Sequence, residues 1–301
     1  MTDLAFMFSN WYSGATLLAI LLNSNSRLVC NGETFEFEHG DIRKESYRCS
    51  CGQSIPDCPF FRAVAHQFLE SETNNYRYFS VLPDVSDSPL RNRVVASFSK
   101  LPRLRNFYIN SSPTLKTKLD HYLSLHEQFF MNACAHENAS CYIDGTKSVR
   151  RAELFRLYGH KPFKVIYLVR DGRGFAWSYI RNNSLDKSDL KPAADAWLSY
   201  VRQVDTFMER YPSVAVHVTR YEDLCHTPES ALRGICEFLD VAYDPSMTAT
   251  PKEHHVLGNQ IRHSFNGTVK ESLSWRNQFD KNQIAELELL MKNELKRFSY
   301  I

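Results

Sequence analysis

The stretch "SNWYSGATLLAILLNSN", Ser9 to Asn25, follows a short apolar run, Leu4 to Phe8, and its reading decides the fold. Three readings compete: the hydrophobic heart of a secretion signal, a buried helix, and a loop that wraps a phosphate. Ala15 to Leu22 has the size of a signal's apolar region, but the only charge before it is Asp3 and no small-x-small cleavage site follows. Leu4–Phe8 therefore reads as a buried strand and Thr16–Leu22 as a buried helix, joined by a turn of Ser, Asn and Gly. A loop between strand and helix points free N–H groups and the positive end of the helix dipole at whatever sits above it, and phosphate is the usual occupant. Gly14 lets the backbone come close, and Ser13 and Thr16 add hydroxyl donors. The two glycines and the lysine of GxxxxGK[ST] are absent, which disfavours an ATP-hydrolysing P-loop.

The alternation continues along the chain. Tyr142–Ile143 opens an extended piece that runs into "DGTKS", followed by a helical pattern through Arg151, Leu154 and Leu157 up to Gly159 as C-cap. "KVIYLV" (Lys164–Val169) is the clearest strand, with "FAWSYI" as helix behind it. "VAVHVT" (Val214–Thr219) is another strand, and "PESALRGICEFLD" (Pro228–Asp240) a helix that begins on proline. Strands alternating with helices imply an α/β fold whose parallel sheet is covered on both faces. From about 35 to 119 the texture changes to Pro, Asn and Ser with little periodicity, which reads as helices and loops inserted over one end of the sheet, where substrate enters. Lys281 to Phe298 reads as a charged amphipathic helix with Ile284, Leu287, Leu290, Met291 and Leu295 on one face.

Composition narrows the function classes. The 301 residues are 43% hydrophobic, enough for a substantial core. Net charge is +2, with 36 basic against 34 acidic side chains, so the basic surface that nucleic-acid binding needs is missing. No apolar run reaches the roughly 18 residues of a membrane span. Eight cysteines scattered over a chain of this length fit a reduced, cytoplasmic protein.

A second loop bears on the first. "VIYLVRDGRGFAWSYIRNN" places Arg170 at the carboxyl end of a strand and Ser178 within the next helix, so both can reach one anionic group in the crevice above the sheet. Arg181 follows one turn after Ser178. The plainer reading of "RD" is a local ion pair, Arg170 with Asp171.

With these elements in order, the chain resembles sulfotransferases that use 3'-phosphoadenosine 5'-phosphosulfate (PAPS), above all the tyrosylprotein sulfotransferases and related bacterial enzymes. "YSGATLL" (Tyr12–Leu18) takes the place of their first loop, (Arg/Lys)-Ser-Gly-Thr-Thr-Leu-Leu, and "LVRDGRGFAWS" is similar to their 3'-phosphate segment. "CNGET" (Cys30–Thr34), "IDGTKSVRRAELF" (Ile143–Phe155), "RYEDL" (Arg220–Leu224), "GNQIR" (Gly258–Arg262) and Trp275–Arg276 extend the likeness over nearly the whole chain. The resemblance implies a single domain, 1–301, with a P-loop-like three-layer fold. It implies in-line transfer of a sulfuryl group from PAPS to a hydroxyl or amine of a small-molecule or peptide acceptor, releasing adenosine 3',5'-bisphosphate. Glu33 becomes the general base and Lys147 a cation near the transferring group. Tyr12, Ser13, Gly14, Ala15, Thr16 and Leu17, with Arg170, Ser178, Tyr221, Arg262 and Trp275, become the donor-binding set, and no metal is expected for the chemistry.

Two departures stand out. Tyr12 replaces the basic residue of the first loop and Ala15 its first threonine, so another cation, Lys147 or Arg43, is expected to neutralise the phosphosulfate. The plainer readings are a solvated carboxylate for Glu33, with Glu36 and Glu38 beside it, and an ordinary exposed lysine for Lys147. A non-catalytic nucleotide-binding protein and, less in keeping, a Mg²⁺-dependent P-loop kinase are the alternative functions. "YRCSCGQSIPDCPFF" gathers Cys49, Cys51 and Cys58, with His39 and His66 as possible fourth metal ligands, but the spacing matches no standard zinc pattern and a shaped turn is the expectation. His254 and His255 are expected in a late loop over the nucleotide.

Overall fold

Side-chain alternation along β1 (Asp3–Ser9) sets the architecture: Leu4, Phe6 and Phe8 enter one core while Ala5 and Met7 enter the other, and all five are buried. In this computed structural model residues 2–34, 47–69, 81–83, 88–95, 102–249 and 254–301 are described. The chain runs from β1 through α1 (Ala15–Asn23), β2 (Leu28–Val29), α2 (Pro59–Val64), α3 (His66–Leu69), α4 (Pro89–Val95), α5 (Pro102–Asn110) and α6 (Pro113–Glu137) to β3 (Cys141–Asp144). It continues through α7 (Val149–Tyr158), β4 (Lys164–Val169), α8 (Gly172–Asn182), α9 (Leu190–Arg210), β5 (Val216–Arg220), α10 (Tyr221–His226) and α11 (Pro228–Phe238). Four helices close it: α12 (Ile261–Ser264), α13 (Trp275–Gln278), α14 (Lys281–Leu290) and α15 (Lys292–Arg297).

The strands order as β2-β3-β1-β4-β5, every pair parallel, with Phe6 opposite Asp144 on one side and Val165 on the other. α1, α10 and α11 cover the Ala5 face, and α6, α7, α9, α14 and α15 cover the Phe6 face, giving the three-layer α/β arrangement. From β1 the chain leaves toward β2, and from β4 it leaves toward β5. The sheet therefore has its switch point between β1 and β4, where ligands settle in parallel sheets. Among the described residues no helix is long and apolar enough to cross a membrane.

The structure differs from the sequence reading in four places. The inserted region does not end near 119, because α6 begins at Pro113, capped by the Ser112 side chain, and runs to Glu137, burying Leu119, Leu123, Phe129 and Phe130. β2 is two residues long and has no periodicity to betray it. The terminal helix breaks at Met291 (φ −113°), whose buried side chain packs against Gly172, so α14 and α15 are separate helices. Gly159 caps α7 in an extended rather than left-handed conformation, and a Cβ there would lie 2.6 Å from the Phe155 carbonyl oxygen.

A buried ion pair ties α7 and α6 to β3. Arg151 of α7, fully enclosed, donates to Asp144 Oδ2 at 2.8 Å, to His126 Nδ1 at 2.9 Å and to the Tyr122 hydroxyl, while Asp144 Oδ1 accepts from the Thr146 N–H at 3.0 Å. Removing one partner leaves a carboxylate buried without its cation. Arg151→Leu is expected to lower unfolding stability by about 3–5 kcal/mol. Denaturant unfolding checks this, and a loss below about 1 kcal/mol would show the pair to be solvated.

Candidate functional site

All five parallel strands end at one edge, so the loops after β1, β2, β3 and β4 converge there. In the first loop Tyr12 (φ 59°) and Gly14 (φ 87°) both adopt left-handed conformations, which turn the chain sharply into α1. Gly14 is required twice over, because a Cβ would lie 2.5 Å from Cδ2 of Tyr221 as well as strain the backbone. As the N-cap residue of α1, Gly14 brings no side chain to cap the helix, and the first-turn amides stay available to a ligand. Ser13, Ala15, Thr16 and Leu17 are buried, and Thr16 Oγ1 accepts the Asn259 N–H at 3.3 Å, tying the late segment to the loop. The Tyr12 ring packs toward Phe175 of α8, centroids 6.4 Å apart.

Across the switch point, Arg170 follows β4. Its Nη1 donates to the Tyr12 carbonyl oxygen at 2.5 Å and to Ser178 Oγ at 3.3 Å, and its Nη2 to the Ser272 carbonyl at 3.4 Å. The guanidinium lies 4.9 Å from the ring centroid of Tyr221. Arg170, Ser178, Tyr221 and the first loop are thus one cluster. The local Arg170–Asp171 pair does not form. Asp171 pairs instead with Arg173 at 2.7 Å, which also reaches Glu288 at 2.5 Å. Arg173 stacks on Trp275 at 4.8 Å, and Trp275 and Arg170 come together over Gly174, where a Cβ would lie 3.3 and 3.2 Å from them. Beneath, Glu222 accepts the Asp171 N–H at 3.1 Å and the Tyr300 hydroxyl at 2.8 Å, and burial raises its carboxyl above the usual range. Arg181 is exposed and takes no part.

Arg262 lies against residues 47–48 and Gly258. Its Nε donates to the Arg48 carbonyl at 3.0 Å, its Nη1 to the Gly258 carbonyl, and its guanidinium lies 4.6 Å from the Tyr47 ring centroid. These contacts spend it on fastening the late segment to residues 47–48.

The third part of the site joins the loops after β2 and β3. Lys147 Nζ lies 2.6 Å from Glu33 Oε1, with the lysine 7% and the glutamate 16% exposed, so neither the solvated carboxylate nor the exposed lysine describes them. The backbone brings them together: a Cβ on Gly145 would lie 2.6 Å from the Gly32 carbonyl oxygen. Lys147 itself is held at φ 64°. The Tyr200 hydroxyl donates to the Lys147 carbonyl at 2.6 Å and accepts the Ser9 N–H at 2.8 Å, locking this loop to the end of β1. Tyr200 was invisible in the sequence, one aromatic among several on α9. The Glu33 N–H donates to the Leu257 carbonyl at 3.2 Å, and the Leu257 N–H to the Asn31 carbonyl at 2.9 Å. Arg43, Glu36, Glu38 and His39 lie outside the described residues.

A second cluster lies where residues 49–58 meet the late segment: Cys49, Cys51, Cys58 and His255. His255 therefore faces thiols, and His66, in α3, is not part of the group.

The fold has solved counterparts. The sulfotransferase domain from the olefin synthase of Synechococcus PCC 7002 is 18% identical with a TM-score of 0.58, covering 100% of this chain and 97% of its own. The sulfotransferase domain from the curacin biosynthetic pathway is 17% identical with a TM-score of 0.53, covering 97% and 98%. Both show a shared fold. No curated protein matches the sequence. The model of the Sulfotransferase family matches residues 5–245, more than half of the chain, and the protein belongs to that family.

Proposed function

We propose that this protein moves a sulfuryl group from PAPS to a hydroxyl or amine on a small-molecule or peptide acceptor, with Glu33 as general base. The observation that carries the reading is the enclosed Lys147–Glu33 pair beside the β1–α1 loop, with Arg170 and Ser178 across the switch point. Sulfuryl transfer forms one S–O bond to a hydroxyl acceptor, or one S–N bond to an amine, and breaks the S–O bond to the 5'-phosphate, whose oxygen takes the electron pair, while the acceptor proton goes to a base. The protein's tasks are to align the attacking atom with the departing oxygen, take the proton and steady the charge that collects on the departing phosphate.

Each task has a candidate. The 5'-phosphosulfate rests on the amides and hydroxyls of residues 13–17, and the 3'-phosphate on Arg170 and Ser178. Tyr221 and Trp275 flank that arginine as walls for the nucleotide. Tyr12 supplies no charge, so Lys147 does, reaching the transferring group from the neighbouring strand end. A carboxylate released by a bonded cation is the better proton acceptor. Donor binding that draws Lys147 toward the sulfuryl oxygens therefore readies Glu33 for the acceptor.

Adenosine 3',5'-bisphosphate at about a hundred times its dissociation constant should stabilise the protein by roughly 2.7 kcal/mol, a melting shift of several degrees. ADP and ATP–Mg²⁺ should not, and Arg170→Ala should abolish the shift. A shift with ATP–Mg²⁺ instead would favour kinase chemistry. Glu33→Gln should keep the bisphosphate shift and lower kcat by roughly a hundredfold to ten-thousandfold. Bisphosphate binding without transfer in the wild type would mark a non-catalytic binder. Lys147→Ala should cost about a hundredfold to a thousandfold in kcat, and Tyr12→Lys in that background should recover part of it. No recovery would show that the two positions do not serve the same charge.

A further inference from the structure

Three thiols and one imidazole converge where residues 49–58 meet the late segment. Cys51 Sγ lies 3.7 Å from Cys58 Sγ, Cys58 Sγ 3.2 Å from His255 Nδ1, and Cys49 Sγ 3.8 Å from the same nitrogen. All four atoms fall within 4.8 Å of one another. A tetrahedral zinc centre with Zn–S near 2.3 Å and Zn–N near 2.0–2.1 Å requires ligand atoms about 3.5–3.8 Å apart. We propose that Cys49, Cys51, Cys58 and His255 bind one zinc ion as a structural Cys₃His centre.

Two further features fit a metal better than four packed side chains. His255 is stacked on Phe60, centroids 5.1 Å apart and planes 9° from parallel, which fixes the ring with Nδ1 toward the sulfurs. All eight cysteines are free thiols, so no disulfide competes for these three. Soft thiolates with one imidazole in tetrahedral array select zinc among common divalent ions. Four protein ligands close the coordination sphere, so the ion has a structural task rather than a part in the transfer.

That task follows from what the cluster joins. The Ser50 N–H donates to the Val256 carbonyl at 3.2 Å, the Val256 N–H to Ser50 Oγ at 2.9 Å, and Ser50 Oγ to the His254 carbonyl. The Tyr47 hydroxyl bonds both polar groups of Gly258. Two residues past His255, Leu257 holds the Glu33 amide, and Asn259 holds Thr16. Zinc at this corner fastens the inserted segment to the backbone that positions the base and the donor loop.

Elemental analysis of the full chain, purified without chelator or metal-affinity resin, tests the proposal. One zinc per chain is expected, retained in Cys225→Ser and lost in Cys51→Ser and in His255→Ala. Chelation of the wild type should lower its Tm by several degrees, with zinc restoring it. Should the variants fail to fold, wild type loaded with cobalt decides: absorption bands of a tetrahedral thiolate-bound ion support the centre, and their absence overturns it. Wild type free of metal after growth with added zinc, or zinc retained without Cys51 and His255, also overturns it.

Discussion

Two backbones touch at Gly32 and Gly145, and the site depends on that contact. A Cβ on Gly145 would lie 2.6 Å from the Gly32 carbonyl oxygen, and one on Gly32 would overlap the Leu257 carbonyl. Without a side chain on Gly145 the loops after β2 and β3 approach closely enough for Lys147 to reach Glu33 at 2.6 Å. On its other side Gly32 bridges Leu257, and two residues on Asn259 lies against Thr16. Carboxylate, ammonium and the β1–α1 loop are therefore placed by backbone packing, which is stiffer than any chain of side-chain contacts.

The other half of the site is built on an arginine that already has partners. Arg170 bonds the Tyr12 carbonyl, Ser178 and the Ser272 carbonyl while lying over Tyr221. A guanidinium held this way loses little freedom when an anion arrives, which favours planar recognition of phosphate. Arg173 pairs with both Asp171 and Glu288, which leaves Asp171 turned away from Arg170.

β1 and β4 were readable because burial on both faces leaves unbroken apolar runs: "KVIYLV" matches β4 residue for residue. α6 was not, although Leu115, Leu119, Tyr122, Leu123 and Phe130 recur at helical spacing, because Asp, His and Glu between them mask the stripe. Glu33 and Lys147 were legible through the motifs around them, yet their pairing was not, since 114 residues separate them. Tyr200 and the role of Arg262 depend wholly on which backbone carbonyls tertiary packing sets nearby. The cysteine cluster gives the clearest case. Its three thiols lie within ten residues, whereas the imidazole that completes the tetrahedron comes 197 positions later than Cys58, beyond the reach of any spacing rule.

A structure of the protein with adenosine 3',5'-bisphosphate bound tests the central claim most directly. The account predicts the 5'-phosphate on the amides of residues 13–17, the 3'-phosphate on Arg170 and Ser178, and Lys147 turned from Glu33 toward the 5'-phosphate. A nucleotide bound away from the β1–β4 crevice, or seated there with its two phosphates exchanged, would contradict it.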